Sequence, residues 1–145
     1  MREIEFRGKD LNGVWRYGSL ANNVFFYSDT KKPVPYIIDV QNVDYFCLAD
    51  LEDDEGFYET RPETVGQFTG ISDKNGRRIY EGDVVKHIKG LVKNEQGQFV
   101  DDFEIEVVKF EYAGFSIGHL ALIKDLEVIG NIHDNPELLE HGSQN

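Results

Sequence analysis

Four histidines, a single cysteine and 27 carboxylates are the side chains with which this 145-residue chain could hold a metal, move protons or attack a substrate. Their spacing favours none of these. His87, His119, His133 and His141 show no i,i+4 and no HxH spacing, and Cys47 is remote from all of them in sequence. A metal centre would need the fold to gather ligands that the sequence leaves dispersed, so no metal and no cofactor is expected. No GxSxG elbow and no Cys-with-His signature is present, so nucleophilic catalysis lacks a local framework. His133 beside Asp134 reads first as a helix entry with a polar neighbour and second as a titrating pair.

The stretch GQFTGISDKNGRRIYEGDVV, residues 66–85, is the densest in turn residues and in candidate chemistry. Asp73 and Asn75 stand as the first oxygens of a calcium loop would. That loop also needs glycine at its sixth position and glutamate at its twelfth, where this chain has Arg78 and Val84. No GxxxxGK[ST] is present to cradle a phosphate. Glu81 and Asp83 form an acid pair on paper, but carboxylates flanking a glycine are more often turn formers. The residue types fit a hairpin instead. Phe68 lies on one strand, Asp73-Lys74-Asn75-Gly76 make the tip, and Arg78-Ile79-Tyr80 return. Asn-Gly supplies the positive φ that such a tip needs. Glu81-Gly82-Asp83 is a second turn, and a further strand runs from Asp83 to Ile88.

Charge is the strongest compositional signal. Asp and Glu outnumber Lys and Arg by 27 to 15, a formal net charge of −12. Such a surface repels phosphate backbones, so nucleic-acid binding is disfavoured. Lys31-Lys32 and Arg77-Arg78 are the best basic groups, and both are short. The acids concentrate between Asp44 and Glu63, above all in Asp50, Glu52, Asp53, Asp54 and Glu55, opposed only by Arg61. This run reads as a solvated loop, the usual role of such runs, or as an acidic surface that engages a protein partner, in its sharpest form an imitation of nucleic acid.

The elements that would position these groups are mostly strands. Ile4 and Phe6 alternate with charges, and GVWRYGSL alternates between turn signals at Asn12-Gly13 and Gly18. NVFFYS and YIIDV are short and rich in aromatic or β-branched residues, separated by a loop holding Pro33 and Pro35. Residues 43–59 are compatible with a strand or with a short helix entering the acidic loop. After Ile88 the glycine-bearing stretch from Lys89 to Asp102 reads as a long hairpin tip or loop. Phe103, Ile105 and Val107 then line one face of a strand and Glu104 and Glu106 the other, with a slip near Val107-Val108. LEVIGNI is a last strand. HDNPELLEH is a short helix with Asn135 at its N-cap and Pro136 in its first turn.

A chain of this length holds one domain with a core, or a domain with a small appendage. The lone cysteine leaves no internal disulfide and suits a reducing cytoplasm. No apolar run is long enough to span a bilayer, and the start MREIEFRGKD lacks the apolar core of a secretory signal, so a cytoplasmic location is expected.

REIEFRGKD, WRYGSL, PETVGQFTGISDKNGRRIYEGDVV and EVIGNIHDNPELL together resemble the YopX family, proteins encoded largely by phages and prophages of bacteria. The resemblance spans both ends and the centre and is weakest over residues 22–58 and 91–101. It implies a mainly β protein with an SH3-like, partly open barrel in a bacterial host. It brings no catalytic residue and no ligand. The expected organisation is an N-terminal β subdomain with the acidic loop over residues 1–62. The barrel follows over 63–145, with a short C-terminal helix. Its expected core is Phe68, Ile79, Val84, Val85, Val107, Phe110, Phe115, Ile117, Val128 and Ile129. The expected function is a non-enzymatic protein-interaction module that binds a host or phage protein, with homo-oligomerisation an open alternative. The competing expectation is a small-molecule or nucleotide-processing enzyme that gathers dispersed groups such as Asp83, His119 and His133.

Overall fold

The computed structural model describes residues 3–22, 34–39, 56–111, 114–115 and 125–142. In chain order they form β1 (Phe6–Lys9), β2 (Trp15–Asn22), β3 (Pro35–Ile38), β4 (Phe57–Glu59), a one-turn 3-10 helix (Pro62–Thr64) and β5 (Gly66–Ser72). There follow β6 (Arg78–Tyr80), β7 (Asp83–Lys93), β8 (Phe99–Val107), β9 (Phe110–Glu111), β10 (Gly114–Phe115), β11 (Glu127–Asn131) and α1 (Glu137–Gly142). The protein is mainly β, with two principal antiparallel sheets and one short helix, and neither sheet closes into a barrel among the described residues. No described helix is long and apolar enough to cross a membrane. The chain divides into two compact units, Met1–Phe68 and Thr69–Asn145.

In the first unit the sheet order is β4-β3-β2-β1-β5, antiparallel throughout. The strand starts at Phe6, so Ile4 lies before it and is exposed rather than half-buried as the alternation suggested. Lys9 faces Trp15 across the β1–β2 ladder, and the Arg7 and Lys9 cations sit 4.7 and 5.5 Å from the centre of the Trp15 ring. Gly18 does not end β2 as a turn would. The strand runs through it to Asn22. Gly18 has φ +155°, and a Cβ there would lie 2.1 Å from the Ile38 carbonyl oxygen, so glycine is what lets β3 approach. Thr60 donates its N–H and its hydroxyl to the Pro35 carbonyl, which ties the end of β4 to the start of β3.

In the second unit β5 pairs with β6, and a separate sheet has the order β11-β7-β8. Ile79, Val85, Val108, Leu126 and Val128 form the core with Ile71 packed against them. Each fully buried branched side chain contributes roughly 1.5–3 kcal/mol. Of the expected core, Phe68, Ile79, Val84, Val85 and Val128 are buried. Val107 and Ile129 are only half-buried. The slip near Val107 puts Val108 inside instead, its N–H donating to the Asp83 carbonyl. Ile117 lies outside the described residues, as does the expected NVFFYS strand.

Two tips share one construction. In Asp10–Val14 and in Asp73–Arg77 the first residue donates its N–H to the carbonyl of the fifth, and the fourth, a glycine at φ +81°, donates to the first. One carboxylate oxygen of the leading aspartate accepts two further N–H groups, from Asn12 and Val14 or from Asn75 and Arg77. The DKNG stretch is therefore architecture, as its residue types predicted. The second oxygen of Asp73 reaches across the core and accepts the Val128 N–H at 2.9 Å. That of Asp10 accepts the Arg16 Nε–H at 2.9 Å. Burial disfavours the charge of both carboxylates, but the donors outweigh it. For Asp73 these are the N–H groups of Val128, Arg77 and Asn75 with the Arg77 charge, and its pKa lies below the ordinary value. Asp10 is lowered in the same way, by Val14, Arg16 and Asn12 against burial.

At the C-terminal end Asn135 does not cap the helix with its side chain. Its Oδ1 accepts the Asn131 N–H and so points back at β11, while Asn131 Oδ1 accepts the N–H groups of His133 and Asp134. Gly130 is the reason the helix can close on the strand. A Cβ there would lie 2.6 Å from Asn135 Oδ1 and 2.7 Å from Leu138 Cδ1.

Candidate functional site

The second unit is distinguished by the length of β7 and β8. β11 pairs with β7 only from Asp83 to Lys86, whereas β8 follows β7 out to Lys93. Beyond Lys86 the two strands form an arm in which each has the other as its pairing partner. Of the two expectations for residues 89–102, a long hairpin tip or a loop, the hairpin is what forms, and most of the stretch is strand. The arm closes at Asn94–Gln98 with a third copy of the same tip. Gly97 has φ +76°, and Asn94 Oδ1 accepts the N–H groups of Gln96 and Gln98. Here the leading residue is asparagine, because no second donor has to be met in solvent.

The ladder contains one irregularity. Lys93 faces Phe99 and Gly90 faces Asp102, but Ile88 faces Phe103, so Lys89 is an extra residue on β7. Counted back from the tip without that bulge, His87 would stand opposite Ile105. With it, His87 stands opposite Glu104, and Glu106 lies two residues along on the same face. The bulge therefore converts a dispersed histidine and two glutamates into neighbours. His87 Nε2 lies 3.5 Å from Glu106 Oε2 and 3.8 Å from Glu104 Oε2. One ligand atom from each of the three lies within 4.8 Å of the other two. His87 is 6% exposed, and its buried Nε2 has no hydrogen-bond partner among the described residues. The two carboxylates are half-buried, open to solvent on one side.

The opposite face of the arm carries Ile88, Leu91, Phe99, Phe103 and Ile105 by the same register, interrupted by Asp101. Leu91 and Phe99 are each 66% exposed and Phe103 is 47% exposed. Lys86 Nζ lies 4.2 Å from the centre of the Phe103 ring and Lys93 Nζ 5.3 Å from that of Phe99. The result is an apolar strip with a cation over each aromatic ring. Val92 and Val100, exposed as well, face one another on the side of His87.

The acidic residues singled out from sequence, Asp50, Glu52, Asp53, Asp54 and Glu55, lie outside the described residues, as does His119. Asp83 is buried in its own turn, where its Oδ2 accepts the Tyr80 N–H at 2.8 Å. His133 sits in the turn before α1, donating its backbone N–H to Asn131. The Asp83 carboxylate thus has a structural task, whereas the bond of His133 is made by its backbone. The cluster that does form, His87 with Glu104 and Glu106, was beyond the sequence because its register depends on the bulge. The ExE spacing on one strand face was its only visible signal.

A family model described as YopX protein matches residues 21–140. No curated protein matches the chain. Among solved structures, the crystal structure of protein EF1440 from Enterococcus faecalis is similar, at 18% identity and a TM-score of 0.49, covering 96% of this chain and 99% of that one.

Proposed function

The chain belongs to the YopX family, and from that premise we propose that it is a non-enzymatic protein-interaction module that docks a partner on the β7–β8 arm. One observation carries this reading: Leu91, Phe99 and Phe103 stand exposed in a row on an arm that, among the described residues, is two strands wide. A two-stranded arm gains little stability from its own apolar residues, and a row of them facing water marks an interaction surface. The unit that carries the arm is an SH3-like, partly open barrel built on the β11-β7-β8 sheet.

The partner is a host or phage protein in the bacterial cytoplasm, and its contacting segment carries apolar side chains interspersed with carboxylates. The lysines over Phe103 and Phe99 argue for this chemistry, since they place positive charge beside the rings that a partner would cover. The acidic run Asp50–Glu55 supplies a second, steering contact on a chain of net charge −12.

The test uses the tagged full chain in nuclease-treated bacterial lysate, beside a Leu91→Ser/Phe99→Ser variant. Carbodiimide, which joins lysines to carboxylates only in direct contact, is then applied to both. The expected result is a partner coupled through Lys86 or Lys93 and lost from the variant. A partner retained equally by the variant would overturn docking on the arm. Coupling to a second copy of the chain alone would replace the foreign partner with self-association.

A further inference from the structure

We propose that His87, Glu104 and Glu106 bind a first-row divalent transition metal ion, with Zn²⁺ the best match. A histidine nitrogen removed from water without a hydrogen bond is costly, and native structures rarely leave one so. His87 Nε2 is in that state, on the face of the hairpin where Glu104 and Glu106 stand. Both carboxylates lie close enough to attract it but at 3.5 and 3.8 Å are too far to bond it well.

Those separations suit a shared cation. Zinc binds imidazole nitrogen and carboxylate oxygen at about 2.0–2.2 Å, so two ligands at a tetrahedral angle stand roughly 3.4 Å apart, whereas octahedral neighbours stand about 3.0 Å apart. The observed distances lie on the tetrahedral side. One neutral imidazole and two carboxylates also balance the double charge of the ion. A donor set with an imidazole and only two carboxylates is poor for Mg²⁺ or Ca²⁺, which prefer six or more oxygens. The fourth position falls on the solvent side, where the half-buried glutamates open, and water or a partner side chain completes the shell there.

The backbone supports the assignment. His87 and Glu104 are directly opposed and Glu106 follows at the next position of the same face, so all three ligands come from paired strands rather than loops.

The experiment is Zn²⁺ titration of the metal-free full chain against a competing chromogenic chelator, with Co²⁺ absorption as a second readout. Glu104→Gln/Glu106→Gln is the test variant, since both positions are partly exposed and the amide keeps the shape. His133→Gln is the control. We expect one tight equivalent per chain, a tetrahedral Co²⁺ spectrum, and affinity at least about 100-fold weaker in the double variant, beyond what outer-shell changes produce. The control should bind as the wild type does. Absence of a tight equivalent in the wild type would overturn the proposal and leave the cluster as an ion pair. Equal binding by wild type and double variant would overturn it too, by placing the metal elsewhere.

Discussion

Replacing Asp73 with asparagine removes one oxygen from a group that uses both. In the native turn, Oδ1 accepts the Asn75 and Arg77 N–H groups and Oδ2 accepts the Val128 N–H. Asparagine keeps the first pair, as Asn94 shows at the tip of the arm. Its amide nitrogen, however, would meet the Val128 N–H donor to donor in the core. A hydrogen bond to a charged acceptor is worth about 1.5–3 kcal/mol, and an orphaned buried N–H costs a similar amount, so the expected loss is about 2–3 kcal/mol. For a chain of this size that lowers Tm by roughly 5–10 °C. Asp10→Asn should cost about 1 kcal/mol or less, because the lost partner, Arg16, is partly solvated. Asn94→Asp should stay within about 0.5 kcal/mol. Urea unfolding of the three variants checks the order Asp73 first, Asp10 second, Asn94 last. If Asp73→Asn costs no more than Asn94→Asp, the second oxygen does not stabilise the core and the reasoning fails.

Acid should act through the same groups. Asp73 and Asp10 are held below their ordinary pKa, so their contribution is fully present above the ordinary carboxylate value and disappears as pH falls through the lowered one. Wild-type stability should drop in that window, and the gap between wild type and Asp73→Asn should narrow, as read by thermal melts at descending pH. Gly130→Ala should destabilise by about 1–3 kcal/mol, because its Cβ would push Asn135 and Leu138 off β11; faster proteolysis within residues 132–142 is the local readout. Gly18→Ala should be at least as damaging, since both its φ and the Ile38 carbonyl oppose a side chain; a melt of the variant decides it. Changing Asp50, Glu52, Asp53, Asp54 and Glu55 to their amides should slow partner association and flatten its salt dependence, while leaving the dissociation rate nearly unchanged.

The legible parts of the fold are those that short-range chemistry specifies. DKNG and EGD turned where their residue types said they would, and GNIHDNPELL gave a strand followed by a helix. The failures involve information carried by another strand. Gly18 reads as punctuation until β3 is known to press its carbonyl against it. Residues 89–102 read equally as a hairpin tip or as a loop, because an arm wetted on both faces has no buried side to impose clean alternation, and because Gly90 follows directly on the bulge. The same bulge hid the grouping of His87 with two glutamates, since one inserted residue reverses which face a strand residue occupies. Asn135 carries the right residue type for a cap, but its oxygen is taken by the Asn131 N–H in the adjacent strand.

The His87–Glu104–Glu106 cluster and the apolar strip belong to one mechanical problem. Past Lys86 the arm loses β11 and, among the described residues, is left with two strands, a state that is marginal in water. The Asn94 tip ties its far end. Its near end is where His87 faces Glu104, just past the last residue that β11 supports. An ion shared by these residues would clamp β7 to β8 at the point where support ends, and would therefore stiffen the strip formed by Leu91, Phe99 and Phe103. Amide exchange measures that coupling directly. With Zn²⁺ bound, the amides of residues 87–93 and 99–104 should exchange more slowly in the wild type and be unmoved in Glu104→Gln/Glu106→Gln. Slowing confined to His87 and its immediate neighbours would mean that the ion fills its own site without ordering the docking surface, and the two features would then be independent.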